Sequence, residues 1–341
     1  MKEIITMLAV NLQLFANEVQ TTLLGGLSPE MKTFYDMTLI DEAQANLVHH
    51  QFGQKRPIPA GGGKTIEFRK FASLPKATQP LTEGVTPDGK SLNVTTITAE
   101  VSQYGDYITI SDVLELTAID NVIVETTKLL GRQGGLTMDT IVRNILQSGT
   151  NVTYCPTVTD GKETEVTSRA NLTKDSQLTV DVVNQVVAKL RAQNAPTIDG
   201  KYVAIIHPYV AYDLMRDPEW KEAHKYAKPE NMFSGEIGEI GGVRFVETSE
   251  AKIYTGDGCP AGLAVFGSLF FGANAYGVTE ISGGGMQTIV KQKGSAGTGD
   301  PLDQRSSIGW KGMQTAEILV PNYLVRVESC SARYSATAQA N

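Results

Sequence analysis

Residues 121–148 read NVIVETTKLLGRQGGLTMDTIVRNILQS, and this stretch decides how the rest of the chain is organised. Its second half carries apolar side chains at the spacing that places them on one face of a helix: Met138, Ile141, Val142, Ile145 and Leu146. The spacing predicts one long helix over residues 121–148. This helix would be the spine that joins an extended segment before it to a compact segment after it.

Three glycines, Gly131, Gly134 and Gly135, interrupt the middle of the predicted helix. Each costs about 1 kcal/mol relative to alanine inside a helix, so we expect a kink or a close backbone neighbour there. Asp139 and Arg143 lie four residues apart and predict a surface ion pair worth roughly a few tenths of a kcal/mol. In the first half, the predicted apolar stripe consists of Val122, Ile123, Leu129 and Leu130. The residues predicted to face water are Glu125, Lys128 and Arg132.

The composition is that of a globular protein, and the charge argues against a nucleic-acid-binding domain. With 341 residues, the chain is long enough for about two domains. Hydrophobic residues make up 41% of the sequence. Glycine accounts for 33 of the 341 residues, more than its usual share of about 7%, which favours many turns. The formal net charge of −7 gives no general attraction to nucleic acid, whose binding usually needs a basic face.

The cysteines favour a reducing compartment, and the N-terminus does not favour secretion. Cys155, Cys259 and Cys330 are odd in number and lack C-x-x-C spacing, which argues against a disulfide framework or a zinc site. Glu3 and Asn11 interrupt the N-terminal apolar run, so it does not match a secretory signal. No stretch approaches the roughly 18 unbroken apolar residues of a membrane span.

The segment before the long helix is predicted to be extended. Ser28-Pro29-Glu30 starts a helix that runs to about Phe52, and nothing near it in sequence provides a core for it. Two β runs follow, at residues 65–71 and 91–110, with the turn formers Pro87-Asp88-Gly89 between them. They predict a long β-hairpin with a wide tip. Because a lone two-stranded ribbon is marginal in water, the hairpin and the arm need partners, which argues for obligate self-association.

The segment after the long helix is predicted to contain a compact α/β unit that begins near Thr179. Its elements are an amphipathic helix over residues 182–190, helices opened by His207-Pro208 and Asp217-Pro218, and strands at residues 202–206, 243–247 and 263–266. From Met286 the chain returns to long strands, which we expect to rejoin the helix, at residues 286–293, 315–320 and 323–329. The fold class is therefore α+β, with the α/β unit inserted between two segments of another domain.

Motifs that carry chemistry are incomplete in this chain. Gly61-Gly62-Gly63-Lys64-Thr65 resembles the end of a phosphate-binding loop, but Ile58 stands where a glycine is needed and a strand follows. On a helix, His49 and His50 would point about 100° apart and could not easily share a metal. His207 precedes a proline and is interpreted as a helix entrance, without a G-x-S-x-G turn. We expect no catalytic residue, no metal site and no cofactor.

Three stretches, taken in order, carry a resemblance to a known family. The first is Asn11-Leu12-Gln13-Leu14-Phe15-Ala16. The second runs from residue 202 to 250 and includes His207-Pro208 and Gly235-Glu236-Ile237-Gly238. The third comprises Asp300-Pro301-Leu302, Gln304-Arg305 and Gly309-Trp310-Lys311 with the final strands. In these features, which span most of its length, the chain resembles the tailed-bacteriophage major capsid proteins of the Hong Kong 97-like fold.

The resemblance implies an architecture that agrees with the layout read from the residues. It implies an N-terminal arm at residues 1–56 and an extended β-hairpin loop at residues 57–110. A peripheral domain with the spine helix would comprise residues 111–178 and 268–341, and an inserted α/β axial domain would comprise residues 179–267. Some family members crosslink lysine to asparagine, but those positions find no match in this sequence.

The function that the resemblance implies is structural. Family subunits form pentamers and hexamers that close an icosahedral shell around double-stranded DNA, which places the protein in the virion after assembly in the host cytoplasm. Its partners would be copies of itself, portal, scaffolding or decoration proteins, and packaged DNA without sequence-specific binding. No membrane is implied.

Contacts with neighbouring subunits are expected on the hairpin and on the long helix. Residues 91–110 could extend about 60 Å as a straight strand, which is beyond the radius of a compact domain of this size. We therefore expect a second chain to bury the apolar side chains at the far end of the hairpin. Glu83 would pair with a basic residue of the next subunit's helix. The expected contact residues are Phe68, Arg69, Phe71, Glu83, Lys128 and Arg132.

Two other functions are compatible with the sequence. The first is an intracellular shell of the same fold that encloses a protein cargo instead of DNA. The second is an enzyme with its α/β core at residues 179–267, which leaves the hairpin and the arm unexplained.

Overall fold

The computed structural model describes residues 39, 42–43, 47–59, 61–71, 74, 76–80, 83–84, 86, 89–117, 122–159, 162–227, 238–281, 285–295 and 299–341. Its helices are α1 (Asp112–Thr117), α2 (Val122–Gln147), α3 (Val180–Ala192), α4 (Pro208–Arg216) and α5 (Pro218–Ala227). The first eight strands are β1 (Gln54–Lys55), β2 (Thr65–Phe71), β3 (Val94–Glu100), β4 (Ser102–Ser111), β5 (Val152–Tyr154), β6 (Thr157–Thr159), β7 (Lys162–Thr164) and β8 (Tyr202–Ile206). The others are β9 (Glu239–Ile240), β10 (Val243–Glu247), β11 (Lys252–Tyr254), β12 (Val265–Phe271), β13 (Tyr276–Glu280), β14 (Gln287–Lys291), β15 (Arg305–Ile318) and β16 (Leu324–Ser329).

The chain divides into two compact units. Unit 1 is formed by Met1–Gln44, Gly105–Gly134 and Met286–Gly312, and unit 2 by Ala45–Tyr104, Gly135–Gly285 and Met313–Asn341. Helix α2 and strand β15 each contribute residues to both units. These units differ from the four predicted parts, which describe roles in a shell and remain a prediction.

The long helix is confirmed, since α2 differs from the predicted range by one residue at each end. In unit 1, a methyl group added at Gly131 would lie 2.7 Å from the backbone oxygen of Leu39, and one at Gly134 would lie 2.6 Å from Met286 Sδ. The expected close backbone neighbour is therefore confirmed at Gly131, whereas the close neighbour of Gly134 is a side chain. The predicted apolar stripe is partly wrong, because Leu129 is exposed whereas Thr127 is buried.

The predicted helix from Ser28 to about Phe52 ends earlier than expected. Leu39, Glu42 and Ala43 are helical, and the other residues between 28 and 46 lie outside the described part of the chain. Residues 48–53 form bends and turns instead of helix. The physical reason is that the His49 backbone N–H donates to Asp139 Oδ1 at 2.7 Å, so it is not available for a helical hydrogen bond. Leu39 is fully buried within unit 1 and lies next to Gly131 of α2, so its own chain covers this part of the arm.

The second β run of the hairpin is not one long strand. It is interrupted at Val101, which is buried and donates its N–H to the Lys64 oxygen at 2.9 Å. Before this point β3 pairs antiparallel with β2 in the register Thr65↔Glu100 to Phe71↔Val94. After it, β4 pairs with β15. The expected straight reach of about 60 Å is therefore wrong, because only β3 and the residues of the tip extend with β2.

The core of unit 2 lies around a seven-stranded sheet with the order β5-β16-β12-β8-β10-β9, in which β11 also pairs with β12. All residues of β8 and β12 are buried, which explains their continuous apolar sequences. Helix α3 buries its apolar face in the same core. Strand β16 comes from the end of the chain, and β12 crosses the predicted boundary at residue 267. The α/β region is therefore not closed within residues 179–267.

His207 has the structural role that the sequence predicted. It is the N-cap of α4, where its Nδ1 accepts a hydrogen bond from the Tyr209 backbone N–H at 3.1 Å. Its ring contacts Phe266, with 5.2 Å between the ring centres. Burial lowers the pKa of His207 to about 4 from an ordinary value of 6.5. The imidazole is therefore neutral in the folded protein at neutral pH and fits its role as a hydrogen-bond acceptor.

We expect His207 to make the protein acid-sensitive between pH 6.5 and pH 4. The folded pKa lies below the unfolded one, so in this window the unfolded state binds more protons and stability falls as the pH falls. His207→Asn keeps a good N-cap without the titrating group. Urea unfolding at pH 7, 6 and 5 should give a flatter pH profile for the variant than for the wild type. Parallel profiles for the two proteins would contradict this role.

Gly131→Ala tests the close approach in unit 1. The substitution should gain about 1 kcal/mol of helix propensity, but the methyl group meets backbone atoms of Leu39 that cannot move cheaply. We expect a net loss of about 1 to 2 kcal/mol in the free energy of unfolding. Gly89→Ala is the control, because a methyl group there has no neighbour within 4 Å. A stabilised Gly131→Ala variant would show that the approach is not tight.

Candidate assembly surfaces

The base of the hairpin is anchored within unit 2 by Phe68. This side chain is only 4% exposed, and it packs with Ala99 and Leu319. A methyl group added at Gly277 of β13 would lie 2.9 Å from its ring. The Arg56 guanidinium lies 5.9 Å from the ring centre, within cation–π range. Strand β13 and residues 319–320 of the same chain therefore bury Phe68 without a second chain, and its contact with a neighbouring subunit remains a prediction.

A groove lies beside Phe68, and we call it the hairpin groove. It has a free volume of about 130 Å³ and opens to solvent. Its floor is apolar and its rim carries two exposed arginines, neither of which forms an ion pair with another described residue. The residues that line it are Gln54, Arg56, Phe68, Arg69, Ile97, Asn274, Leu319 and Val320.

The tip of the hairpin is not covered by the chain that carries it. The apolar side chains of Leu74, Leu92 and Val94 are all exposed. Glu83 is exposed as well. Phe71 ends β2, but its side chain lies outside the described part of the structure. The described tip therefore offers apolar groups and a carboxylate to another molecule.

The two basic residues predicted on the long helix have different environments. Lys128 Nζ lies 3.0 Å from Glu125 Oε1, and both side chains are exposed, so this local ion pair contributes little to stability. Arg132 is exposed on the same helix. Contacts of Arg69, Phe71, Glu83, Lys128 and Arg132 with a second subunit remain predictions.

Unit 1 exposes more apolar side chains than the sequence analysis anticipated. Helix α1 has no buried residue, and Leu116 is 80% exposed. Single exposed apolar residues are normal on a protein surface, whereas a contiguous apolar patch marks a contact site. The signal in the sequence was the short run Val113-Leu114-Glu115-Leu116, in which three of four residues are apolar. The other exposed members in this unit are Tyr107, Ile108, Leu129, Ile289 and Leu302.

Leu302 is presented by a loop that is held by several hydrogen bonds. Asp300 Oδ2 accepts from the Arg305 backbone N–H at 2.8 Å, and the Asp300 oxygen accepts from the Asp303 N–H at 3.1 Å. The Arg305 guanidinium donates to the Gly299 oxygen at 2.8 Å. Leu302 itself is 75% exposed. The loop therefore holds an apolar side chain in solvent at a defined position.

A buried carboxylate ties residues 49–50 to the second half of α2 in unit 2. Asp139 is 0% exposed, and its Oδ2 accepts from the Nδ1–H of His49 at 2.6 Å. Its Oδ1 accepts from the backbone N–H groups of His49 and His50 at 2.7 and 3.4 Å. Burial, together with Lys55, lowers the pKa of His50. These histidines therefore have a structural role, and His49 holds a carboxylate instead of a metal.

The predicted surface ion pair between Asp139 and Arg143 is wrong, because both residues are buried. The Arg143 guanidinium donates to the Glu250 backbone oxygen at 2.8 Å and to the Asn341 oxygen at 3.3 Å, and it lies 3.7 Å from the Glu250 carboxylate. Burial lowers the pKa of Arg143. The sequence held the signal, since positions 139 and 143 are adjacent to the core positions Met138 and Val142.

A second buried ion pair joins β16 to the segment after α2. Arg169 donates to both oxygens of Glu328 at 2.6 Å, and its guanidinium lies 3.7 Å from the centre of the Tyr254 ring. Glu328 is fully buried. The hydrogen bond to Glu328 raises the pKa of Arg169, so the pair stays charged. The sequence analysis predicted a strand over residues 323–329 but no partner for Glu328 within it.

The described residues form no cluster suited to a metal ion. Among them, no group of three or more His, Cys, Asp or Glu side chains could hold a metal ion. Cys155 and Cys330 are buried free thiols, and burial raises the pKa of both, that of Cys330 to about 11. These thiols are therefore protonated at neutral pH. Within the described part of the chain, no helix is long and apolar enough to span a membrane.

Comparison with known proteins identifies a family whose model covers most of the chain. A family model described as phage capsid protein matches residues 94–327. No match was found among the curated proteins.

Solved capsid structures have a similar fold at low sequence identity. The capsid of the cyanophage P-SCSP1u has a TM-score of 0.63 at 13% identity, over 84% of this chain and 88% of that one. The capsid of Ralstonia phage GP4 has a TM-score of 0.62 at 13% identity, over 83% and 88%. A virus-like particle from Pyrococcus furiosus has a TM-score of 0.50 at 12% identity, over 87% and 99%. At such identities the likeness shows the fold, a mixed α+β architecture similar to phage capsid structures.

Asp139→Asn tests whether the buried carboxylate supports unit 2. The substitution removes the charge and leaves the buried His49 ring without its acceptor or in a poorer geometry, so we expect a loss of about 3 kcal/mol in the free energy of unfolding. Urea unfolding followed by circular dichroism measures it. Asp106→Asn is the control, because Asp106 makes comparable hydrogen bonds, to Gln133 and to the Tyr107 N–H, on the exposed surface. Equal midpoints for the two variants would show that burial does not matter here.

Proposed function

We propose that this chain, which belongs to the phage capsid protein family, is a major capsid protein whose copies form pentamers and hexamers of an icosahedral shell around double-stranded DNA. The observation that carries the proposal is the hairpin of β2 and β3, which is anchored at its base and uncovered at its tip. A protein that acted alone would leave these apolar groups in water. A subunit of a shell has neighbours that cover them.

The proposal includes the Hong Kong 97-like arrangement of parts. In it, residues 1–56 form the arm and residues 57–110 the extended loop. Residues 111–178 and 268–341 form the peripheral domain, and residues 179–267 contribute the axial domain near the centre of each ring. The continuous helix α2 and the seven-stranded sheet support this arrangement, with the amendment that β16 belongs to the axial sheet.

The tip of the hairpin is proposed to lie on helix α2 of a neighbouring subunit. Leu74 and Leu92 would cover the exposed Leu129, and Glu83 would pair with Arg132. Arg132 is the better partner, because Lys128 already pairs with Glu125. Phe71 is proposed to extend the apolar contact. Shell contacts of this kind belong to the large, obligate class of interfaces, above about 2,000 Å² in total.

The proposed partners follow from the role in a shell. Other copies of the chain are the main partners, and portal, scaffolding or decoration proteins join them during assembly in the host cytoplasm. The net charge of −7 fits DNA that is enclosed and not recognised by sequence. In this role the protein has no enzymatic activity and needs no cofactor.

A shell that encloses a protein cargo is the second candidate. The observation that keeps it open is that the fold is shared with a particle from Pyrococcus furiosus that is described as virus-like and not as a phage capsid. The two candidates differ in what the particle contains. Particles from infected or lysogenic cells that resist nuclease and yield double-stranded DNA support the capsid, whereas nucleic-acid-free particles with a bound enzyme support the cargo shell.

Deletion of residues 74–90 tests the role of the hairpin tip. Residues 72–73 and 91–93 can close a short turn, and the seven residue pairs of β2 and β3 remain, so unit 2 should stay folded. We expect circular dichroism and the unfolding midpoint to be retained while negative-stain microscopy shows no closed shells. Gly89→Ala, which changes the tip without a steric conflict, should assemble normally. Normal shells from the deletion variant would exclude the hairpin tip as an assembly contact.

A further inference from the structure

We propose that Leu302 and Asp303 of one subunit bind in the hairpin groove of a second subunit. Leu302 would lie on the apolar floor, and the Asp303 carboxylate would pair with Arg69 and Arg56 on the rim. The inference rests on the proposed function, because it names a contact between copies in the shell. It is a second contact beside the one proposed for the hairpin tip.

The donor side is a preorganised apolar and acidic pair. Leu302 is 75% exposed in its own chain. Asp303 follows it with a φ of 53°, a left-handed backbone conformation that aspartate tolerates better than most residues. The hydrogen bonds of Asp300 hold both residues, so little conformational freedom remains to be lost on binding. A rigid leucine next to a carboxylate is a suitable anchor for a small pocket.

The acceptor side matches this pair in size and in chemistry. The groove has about 130 Å³ of free volume. An apolar cavity of roughly 150 Å³ can hold benzene, so the groove has room for the four carbons of a leucine side chain. Phe68, Ile97 and Leu319 supply the floor. Arg69 has no ion-pair partner among the described residues, and it can meet the aspartate that follows the leucine.

The pairing has the symmetry that a ring or a lattice needs. Each copy carries one donor loop and one groove, and these are different surfaces of the chain. A contact between different surfaces is heterologous, so it continues from copy to copy until a ring or a shell closes. Opposite charges at the rim also select the correct partner and orientation.

Other exposed segments fit the groove less well. Helix α1 exposes Leu116, but Glu115 of this helix already lies 3.0 Å from Lys293 Nζ, which leaves a poorer match for two arginines. At the hairpin tip, Leu74 and Glu83 are nine positions apart and do not form one compact anchor. These two segments are therefore alternative outcomes of the test.

A charge exchange in the full-length protein tests the proposal. The variants are Leu302→Ser, Asp303→Lys, Arg69→Glu and the double variant Asp303→Lys/Arg69→Glu, with Leu116→Ser as an equally exposed control. Gradient centrifugation and electron microscopy measure the fraction of protein in closed particles, and circular dichroism checks the fold. Each of the first three changes should lower that fraction at least tenfold or so. The double variant should recover most of the loss, and the control should assemble like the wild type.

Three results would overturn the proposal. The first is normal assembly of folded Leu302→Ser and Asp303→Lys proteins, which would leave the capsid function intact. The second is a charge exchange that does not recover assembly when both single changes block it. The third is a defect in Leu116→Ser with normal assembly of Leu302→Ser, which would assign the groove to α1. Failure of the wild-type protein to form any particle would instead contradict the proposed function itself.

Discussion

The buried carboxylate of Asp139 is the constraint on which much of unit 2 depends. A charge without exposure to water must be paired and hydrogen-bonded, or the fold loses several kcal/mol. His49 and His50 meet this requirement with one imidazole and two backbone N–H groups, so the segment before β1 has to stop being helical and lie against α2. From that point β1 pairs parallel with β13, and the chain enters the hairpin from a fixed position.

Local patterns predicted the elements well but not their partners. The sequence patterns predicted the strands at residues 202–206 and 243–247 with the ends that the structure shows, and they predicted α2 at residues 121–148. They succeeded because apolar periodicity indicates which face of an element is buried. The interruption at Val101 had no such signal, since no glycine or proline stands there and only the partners of β3 and β4 differ. Asp139, Arg143 and Glu328 were placed on the surface or left unpaired for a related reason. Charge predicts exposure unless a distant residue supplies the partner, as Glu250 does for Arg143 and Arg169 does for Glu328.

The candidate surfaces were predictable in kind but not in detail. The need for a second chain followed from the hairpin, which is a marginal ribbon by itself. A contact between Phe68 and a neighbouring subunit was predicted because the whole hairpin was expected to extend away from its own subunit. In the structure, β13 and residues 319–320 of the same chain cover Phe68. The exposed loop at Leu302 could not be found from sequence, because one leucine between Pro301 and Asp303 has no periodicity. Its exposure becomes visible only when the hydrogen bonds of Asp300 are known.

The hairpin is held at one end only: Phe68 at its base is buried, whereas Leu74 and Leu92 at its tip are exposed. A ribbon of only two strands twists more readily than a wider sheet, since no third strand holds its edges. In the proposed icosahedral shell, the same sequence would occupy rings of five and of six, where the angle to the neighbour differs. A fixed base with a compliant end would let the tip follow that angle by elastic torsion, while the folded units keep one shape. On this proposal, the softness of the seven residue pairs of β2 and β3 would set how much curvature one sequence can accommodate.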